Sequence, residues 1–432
     1  MNSKIILLTI ISAVNFLPEV SFGQKLTKQE TAILKNVEMN HAEAVKFLET
    51  TVNINSGTNN TGGVKKVGAI YRKMLDDMGF TTTWVDMPAS MKRGGHLVAE
   101  IKGDKGKKLL LNSHMDTVFD LNSPFQKWSV RDSIASGPGA NDTKGGIMIM
   151  LYALKALHET GQLKDRQIVI VIHGDEESAG SPIEISRKDL VDAAKRSDYA
   201  LCFESGKEFN SASIARRGGS GWTLKVTARQ SHSGQIFSEK AGPGAIYETA
   251  RILSRFKEEL QEKYLTFSPG IMVAGAEADL DSTGLRGTAF GKSNIVATTS
   301  IVKGDLRYIS IGQMEKARAK MQAIVNEGFM HTEAEITFTG GSGAMPPTPG
   351  NEKLLNILSQ VSQDLGQGKV TAFDPALRGG GDMTQIAQYI DVIDGLGTVG
   401  GNAHAPDEYI NLNYVEGIIK RMAIFIHRLS TN

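Results

Sequence analysis

The stretch from Arg166 to Gly180, RQIVIVIHGDEESAG, constrains the possible folds more than any other part of this sequence. Ile168 to Ile172 is an unbroken run of β-branched apolar residues, which is typical of a parallel strand that is buried on both faces. Two carboxylates, Glu176 and Glu177, follow the run. Ligands of open α/β sheets bind beyond the carboxyl ends of the strands, so this pair is a candidate site. Acidic residues also favour the first turn of a helix, and the pair alone does not decide between the two interpretations.

Other apolar segments also lead into polar side chains. These segments are Leu109 to Leu111, Tyr199 to Phe203 and Val392 to Val399, and a glycine-rich loop, Ser136 to Gly146, precedes the apolar run Ile147 to Leu157. The polar side chains that they carry are His114, Asp116, Asp142, Glu204 and His404. Imidazole and carboxylate groups without a thiolate are a donor set that suits a divalent metal ion.

The length and the charge of the chain narrow the class of protein. The chain has 432 residues, which predicts more than one domain. Its formal net charge of +1 gives no indication of nucleic acid or an anionic membrane as a partner.

Residues 1–23 have the pattern of a secretory signal peptide. Lys4 supplies the positive start, Ile5 to Leu17 the apolar segment, and Ser21-Phe22-Gly23 a cleavage site before Gln24. A membrane anchor is the alternative, but the apolar segment is too short to span a bilayer well. We therefore expect a protein that is secreted or periplasmic and that has no membrane association after removal of the signal.

The remaining pattern predicts an α/β fold with a mixed, mostly parallel sheet flanked by helices, because helical and strand segments alternate. The predicted helices are 25–50, 63–79 and Ile147–His158, and the predicted strands are Phe80–Asp86, His96–Lys102, Lys107–Leu111 and Asp165–Ile172. Cys202 lies in a further predicted strand. As the only cysteine, it cannot form an internal disulfide.

The pattern changes near Ile214, where strands alternate apolar and polar residues. The segment has the order βαββαβ, which predicts a small two-layer domain inserted into the larger one. The expected division is 1–23 for the signal, 24–214 and 341–432 for the two parts of the larger domain, and 215–340 for the insertion. Two helices, Lys353–Leu365 and Val415–Leu429, are expected after it.

Five motifs carry a family resemblance: SHMDTVF, GPGANDTKGG, GDEESAG, YALCFES and GGNAHAPDEY. They resemble the motifs of the zinc aminoacylase and carboxypeptidase family. That family includes carboxypeptidase G-type glutamate carboxypeptidases, acetylornithine deacetylases, succinyl-diaminopimelate desuccinylases and carnosinases. The resemblance covers nearly the whole chain after residue 23 and is greatest to the carboxypeptidase G type.

The resemblance implies a zinc-peptidase-like catalytic domain with two zinc ions per subunit. It places His114 and Glu204 on one ion and Glu177 and His404 on the other, with Asp142 bridging both. It makes Glu176 the general base and gives Asp116 the role of orienting His114.

The resemblance also implies that the inserted βαββαβ domain is a lid through which the protein forms a homodimer. His232 in SHSG and Asn294 in KSN would assist the substrate carbonyl, with His232 acting across the dimer. Arg307 in DLRY would bind the substrate carboxylate. Gly379 and Gly380 in RGGGDMTQ would form a substrate loop, in which Met383 replaces a residue that is usually smaller.

Several candidates have simpler interpretations. His173 is expected to be structural, and Arg216-Arg217 is expected to be an exposed hinge pair rather than a carboxylate site. An ion pair with Asp305 is the alternative for Arg307. The glycine-rich loop lacks the Gly-Lys-Ser/Thr ending of a nucleotide-binding loop, so we exclude nucleotide binding. Ordinary surface or packing positions are expected for His41, His96, His158, His331 and His427.

The expected function is that of a secreted di-zinc hydrolase that cleaves an amide or peptide bond next to a C-terminal amino acid, with glutamate favoured. The alternative on the same scaffold is an N-acyl amino acid deacylase or a dipeptidase. A non-catalytic binding protein of this fold is a third hypothesis, against which the complete set of ligands and base argues.

Overall fold

The computed structural model describes residues 26–431, and the predicted signal peptide lies outside this range. Its α-helices are α1 (Lys28–Val52), α2 (Thr61–Asp77), α3 (Lys144–Glu159), α4 (Ile183–Ser186), α5 (Lys188–Ala194), α6 (Gly244–Glu259), α7 (Ile311–Asn326), α8 (Pro349–Asp364), α9 (Met383–Ile386) and α10 (Val415–Thr431). Its first nine strands are β1 (Thr81–Val85), β2 (His96–Lys102), β3 (Lys105–His114), β4 (Ser129–Arg131), β5 (Ile134–Ser136), β6 (Arg166–His173), β7 (Tyr199–Cys202), β8 (Ser211–Ala212) and β9 (Gly218–Ala228). The others are β10 (Thr266–Gly275), β11 (Glu277–Leu280), β12 (Gly287–Phe290), β13 (Thr299–Tyr308), β14 (Thr332–Thr339), β15 (Thr371–Ala372), β16 (Asp391–Ile393), β17 (Gly400–Gly401) and β18 (Tyr409–Asn411).

The central sheet has the strand order β1-β2-β6-β3-β7-β16. β6, β3, β7 and β16 pair in parallel, whereas β2 pairs antiparallel with both β1 and β6. The prediction of a mixed, mostly parallel sheet is therefore confirmed.

The β6 run is buried on both faces of this sheet, as its composition predicts. Ile168, Ile170 and Ile172 belong to the hydrophobic cluster that contains residues of α1, α3 and α10. Val169 and Val171 belong to a second cluster, with residues of α5 and α9. Alternate side chains of a strand point to opposite faces, and full burial of each such side chain contributes about 1.5–3 kcal/mol. Helices on both faces therefore hold this strand rigidly.

The inserted segment forms a second, four-stranded antiparallel sheet with the order β10-β13-β9-β14. The helices α6 and α7 pack on it and share a hydrophobic cluster with it, centred on Trp222, Phe256 and Val302. The chain order β9-α6-β10-β13-α7-β14 is the predicted βαββαβ arrangement, with an additional hairpin, β11-β12, that the pattern did not indicate. The domain boundaries themselves stay predictions.

Two strands of the central sheet, β3 and β16, end at residues other than those predicted from the sequence. β3 continues to His114, so the first candidate ligand closes a strand. The run Val392–Val399 is a strand only as far as Ile393, since the chain turns at Gly395, whose φ is +76°. His404 therefore lies on a loop after β17, and β17 belongs to a small sheet of order β17-β18-β5-β4.

Among residues 26–431, none of the helices has the length and apolar character needed to cross a membrane.

Candidate metal centre and active site

The strand order of the central sheet brings three of the candidate segments together. β3 lies between β6 and β7, with His114 opposite His173 and Asn112 opposite Cys202 in the parallel register. The carboxyl ends of the three strands therefore meet at one edge. His114 lies in the middle, with the Glu176-Glu177 segment on one side and Glu204 on the other.

The first ligand group consists of His114, Asp142 and Glu204. His114 Nε2 lies 3.2 Å from Asp142 Oδ1 and 3.7 Å from Glu204 Oε1. Both His114 and Glu204 are buried. These distances place three donor atoms around one point, as a single ion requires.

The second group consists of Asp142, Glu177 and His404. His404 Nε2 lies 3.3 Å from Asp142 Oδ2 and 3.2 Å from Glu177 Oε2. The two oxygens of Asp142 therefore face different histidines, one in each group. The His404 side chain is 57% exposed, so the site opens to solvent on this side.

The Asp142 loop is held against the end of β7 by close backbone packing. A Cβ on Gly146 would lie 1.8 Å from the carbonyl oxygen of Phe203, so only glycine permits this approach. The Thr143 hydroxyl donates to the same carbonyl at 2.7 Å. The close approach at Gly146 thus brings Asp142 next to Glu204.

The ionisable groups of the site perturb one another strongly. Burial raises the pKa of Glu204 to about 8, and hydrogen bonds to Asp142 and Glu177 raise the pKa of His404 to about 10. Burial alone would lower the pKa of His114, but the nearby carboxylates, first Glu204, raise it well above its usual range. His114 lies beside Asp142 and Glu204, and His404 lies beside Asp142 and Glu177. A divalent cation can replace these imidazole groups as the positive partner of the carboxylates.

The residues present fit two divalent ions. Three carboxylates are provided by Glu204, which is buried, and by Asp142 and Glu177, which are half-buried. Two imidazoles are provided by His114 and His404. Glu177 Oε1 is buried and has no hydrogen-bond partner among the described residues, as is expected of an oxygen that awaits a metal ion. Nitrogen and oxygen donors of this kind suit zinc.

Asp116 has a wider role than the predicted orientation of His114. His114 Nδ1 lies 3.1 Å from its carbonyl oxygen and 3.4 Å from its carboxylate Oδ1. The backbone N–H groups of Glu176 and Glu177 donate to Asp116 Oδ1 and Oδ2, at 3.0 and 3.1 Å. One buried carboxylate therefore positions a ligand and the backbone of the glutamate pair.

Glu176 lies beside the two ligand groups without belonging to either. Burial is the largest cause that raises its pKa well above the usual value, and Asp382, Glu204 and Glu177 add to it. A Cβ on Gly381 would lie 3.7 Å from Glu176 Oε1 and 2.9 Å from the sulfur of Met383. The glycine thus leaves the room that the buried Met383 needs in this loop.

The structure corrects the interpretation of Arg216, which is not an exposed hinge residue. It is buried, and its Nε donates to Asp394 at 2.7 Å. Its Nη1 donates to the carbonyls of Gly379 and Gly380, each at 3.1 Å. The sequence placed Arg216 at a domain junction, but its partners are 163 to 178 residues away, so no local pattern indicates its burial.

A buried network of charged residues includes Asp175, the residue before Glu176. The sequence did not indicate it. Arg187 Nη1 donates to Asp175 at 2.6 Å and its Nε to Asp382 at 2.5 Å. Asp382 also pairs with His173, which is structural, as predicted, and the ring of His96 packs against that of His173. The network joins Asp382, which follows Gly379 to Gly381, to the segment that carries Glu176.

The three candidate residues of the inserted domain do not meet the metal ligands within the described chain, since none of their hydrogen bonds or ion pairs reaches that set. His232 and Asn294 are exposed and adjacent, because the N–H of Ser233 donates to the Asn294 carbonyl at 2.9 Å. Arg307 is 44% exposed and its Nε donates to Asp305 at 2.7 Å, which is the ion pair given as the alternative.

Comparisons with known proteins agree with this architecture. The model of the peptidase family M20/M25/M40 matches residues 110–428. Carboxypeptidase G2 of Pseudomonas sp. (strain RS-16) is 27% identical over 419 residues, which cover 94% of each chain. A succinyl-diaminopimelate desuccinylase of Gluconacetobacter diazotrophicus is 22% identical and covers 82% of this chain and 89% of its own. The structure of aminopeptidase PepT from Bacillus cereus superimposes with a TM-score of 0.68 at 18% identity, over 90% of this chain and 99% of its own.

Proposed function

This chain belongs to peptidase family M20/M25/M40, and from that premise we propose that it is a di-zinc exopeptidase which hydrolyses the amide bond next to a C-terminal amino acid, with glutamate favoured. The observation that carries the proposal is the position of Asp142, whose two oxygens each face a histidine of a different ligand group. The similarity to carboxypeptidase G2 over 94% of both chains supports a carboxypeptidase, and the glutamate preference rests on the motif resemblance to the carboxypeptidase G type.

Five residues would hold the two ions. His114 and Glu204 would bind one, Glu177 and His404 the other, and Asp142 would bridge them, since two dications repel each other without a shared anion. When bound, such a pair of ions polarises the amide carbonyl and lowers the pKa of water.

Glu176 would move the proton. It would accept one proton of the attacking water on a carboxylate oxygen while the water oxygen bonds to the carbonyl carbon. It would then deliver that proton to the amide nitrogen as the C–N bond breaks, so that the products are a carboxylic acid and an amine. Its neighbour Glu177 faces His404 at 3.2 Å, whereas Glu176 stays outside both ligand groups. The two adjacent glutamates thus divide metal binding and proton transfer between them.

The inserted domain would complete the site as a lid. Arg307 would bind the free carboxylate of the substrate, and His232 and Asn294 would bind its carbonyl, with His232 supplied by the partner in a homodimer. The exposure of His232 and Asn294 on one pair of loops supports a role toward a second molecule. We also propose export of the protein, on the pattern of residues 1–23. Gln24 should then be the first residue of the exported protein.

An N-acyl amino acid deacylase is the second candidate, favoured by the match to a desuccinylase. Both activities need the same metal centre and base. They differ in the group on the amide nitrogen and in the acyl group that leaves the site, so only substrates distinguish them.

The proposal is tested with a panel of N-acyl amino acids and dipeptides, assayed with zinc present, together with metal analysis of the purified protein. We expect two zinc ions per subunit, loss of activity on chelation and recovery with zinc, and the highest kcat/KM for N-acyl glutamates. Preference for a succinyl or other small acyl group regardless of the amino acid would favour the deacylase. A protein that binds no metal, or that binds the panel without hydrolysis, would refute the proposal.

A further inference from the structure

Glu408 is a buried carboxylate that the proposed mechanism does not use. It lies four residues after His404, at the entrance to β18, and is 1% exposed. Among the described residues, its side chain takes part in no salt bridge at 4.0 Å or less. A buried carboxylate needs donors around it, and the partners of Glu408 are therefore informative.

The donors are backbone N–H groups of the loop that carries Asp142. Glu408 Oε1 accepts from the N–H of Asn141 at 2.7 Å and from that of Asp142 at 3.0 Å. Oε2 accepts a longer bond, 3.4 Å, from the N–H of Gly139. One carboxylate thus fixes the backbone of the residue that faces both histidines.

The backbone of Glu408 strengthens the same connection. Its carbonyl accepts from the Ser136 hydroxyl at 2.6 Å and from the N–H of Gly137 at 3.3 Å. These bonds extend the antiparallel pairing of β18 with β5, in which Tyr409 is opposite Ser136. The His404 loop and the Asp142 loop, far apart in sequence, are therefore held as one unit.

We propose that Glu408 is a positioning residue that holds Asp142 between the two ligand groups before any metal binds. The inference rests on the proposed metal centre. Each oxygen of the Asp142 carboxylate faces one histidine, His114 or His404. If the loop were mobile, the carboxylate would turn with it and could not face both histidines at once. Glu408 lowers the freedom of that loop, so its loss should weaken the binding of both ions.

The first test is zinc affinity of the metal-free protein, measured by competition with a chromophoric chelator. Removal of a group that orients a metal ligand costs about 10–100-fold in affinity, and we expect Glu408→Ala to lose that much for both ions. Glu408→Gln keeps an oxygen toward Asn141 and Asp142 and puts its NH₂ toward Gly139, where the bond is longest. It should bind zinc almost as tightly as the wild type.

The second test uses no metal. Hydrogen exchange of the metal-free protein should show amides 139–142 protected in the wild type and in Glu408→Gln, and exchanging faster in Glu408→Ala. If Glu408→Ala does not fold, Glu408→Asp, whose carboxylate is one methylene shorter, should fold and show the same two changes.

Glu30→Ala is the matched control. Glu30 is equally buried and accepts from the backbone of Thr27 and from Arg428, at the start of α1. Its loss should lower stability without changing zinc affinity or exchange at 139–142.

Wild-type zinc affinity and exchange in Glu408→Ala or Glu408→Asp would overturn the inference, as would an equal loss of affinity in Glu30→Ala. A wild-type protein that binds no zinc but keeps amides 139–142 protected through Glu408 would instead refute the proposed metal centre and leave the Glu408 contacts standing.

Discussion

At the scale of single residues, the central feature is that Glu177 belongs to a candidate ligand group whereas its neighbour Glu176 does not. The two side chains are adjacent in sequence, and their backbone N–H groups share one acceptor, Asp116. Only Glu177 reaches a histidine of the ligand groups. Substitution of either glutamate should leave the backbone in place, and the two variants should therefore fail in different ways.

We expect Glu176→Gln to keep close to the wild-type zinc content and to lose about 10²–10⁴-fold in kcat, the usual contribution of general acid–base catalysis. Glu177→Gln should instead lower zinc affinity, because a ligand atom is changed. Metal analysis and kinetics on both variants decide the assignment. Full activity of Glu176→Gln at normal zinc content would remove Glu176 from the base position.

Arg307 should distinguish substrates by their free carboxylate. Its pairing with Asp305 shows that the guanidinium can hold a carboxylate, and the planar fork of arginine suits that group. A charge-assisted hydrogen bond contributes about 1.5–3 kcal/mol, and a bidentate contact of the arginine fork somewhat more. Arg307→Ala should therefore lower kcat/KM for the acid substrate by about 10²-fold or more. For the analogue in which an amide replaces the terminal carboxylate, kcat/KM should be almost unchanged.

The control for Arg307 is Asp305→Asn, which removes the ion pair but keeps the arginine. It should retain the preference for the acid. An equal loss on the acid and the amide in Arg307→Ala would make Arg307 a structural residue.

At the scale of elements, a buried network of charged residues joins three segments. They are the segment from Gly379 to Asp382, the end of β6, and the junction of α4 and α5. Arg187 bridges Asp175 and Asp382, and all three are buried. Removing one member of a buried ion pair costs about 3–5 kcal/mol, because the remaining charge has no adequate partner. The network therefore ties the position of the segment from Gly379 to Asp382 to that of the segment that carries Glu176.

Asp382→Asn should accordingly lower the denaturant midpoint of the metal-free protein strongly, and lower kcat more than zinc affinity, since Asp382 contacts no ligand of the two groups. Lys188→Ala is the neighbouring control, because Lys188 forms an exposed pair with Asp192 and its loss should change neither quantity. A midpoint of Asp382→Asn equal to that of the wild type would show that the network carries no stability.

At the scale of the whole molecule, the inserted domain exposes His232, which we propose acts in a homodimer. His232 is exposed, and four exposed apolar side chains of the same domain line one pocket: Phe237, Tyr247, Phe329 and Met330. β10 and β14 are the edge strands of its sheet, and unpaired edges favour association. These features agree with the proposed homodimer.

The dimer is tested by mixing two inactive variants, His232→Ala and Glu176→Gln, after dissociation and reassociation. If His232 acts across the interface, each mixed dimer has one complete site, built from Glu176 of one subunit and His232 of the other, and activity should return. A fully active monomer in sedimentation, or mixed dimers without activity, would contradict the proposal. Each variant reassociated with itself is the control and should stay inactive.

The sequence by itself determined the fold class and the chemical type of the site. The β-branched run before Glu176 has apolar side chains on both faces of its strand, so both faces must be covered by other elements. The structure confirms this, with helices on each side. His114, Asp142, Glu177, Glu204 and His404 were predicted together because each is carried by a motif of its own. The βαββαβ order of the insertion could also be predicted, because the apolar residues of each element recur with the period of a helix or of a strand.

Only the tertiary structure decided which groups support that site. Arg216 was expected to be exposed, and no position was predicted for Arg187, Asp382 or Glu408, yet all four are buried. Their partners lie 12 to 269 residues away, so no local spacing reveals them. These charged groups can be buried because the folded chain places an opposite charge or several backbone N–H donors beside each of them. These interactions form only when segments that are distant in sequence come together in the fold.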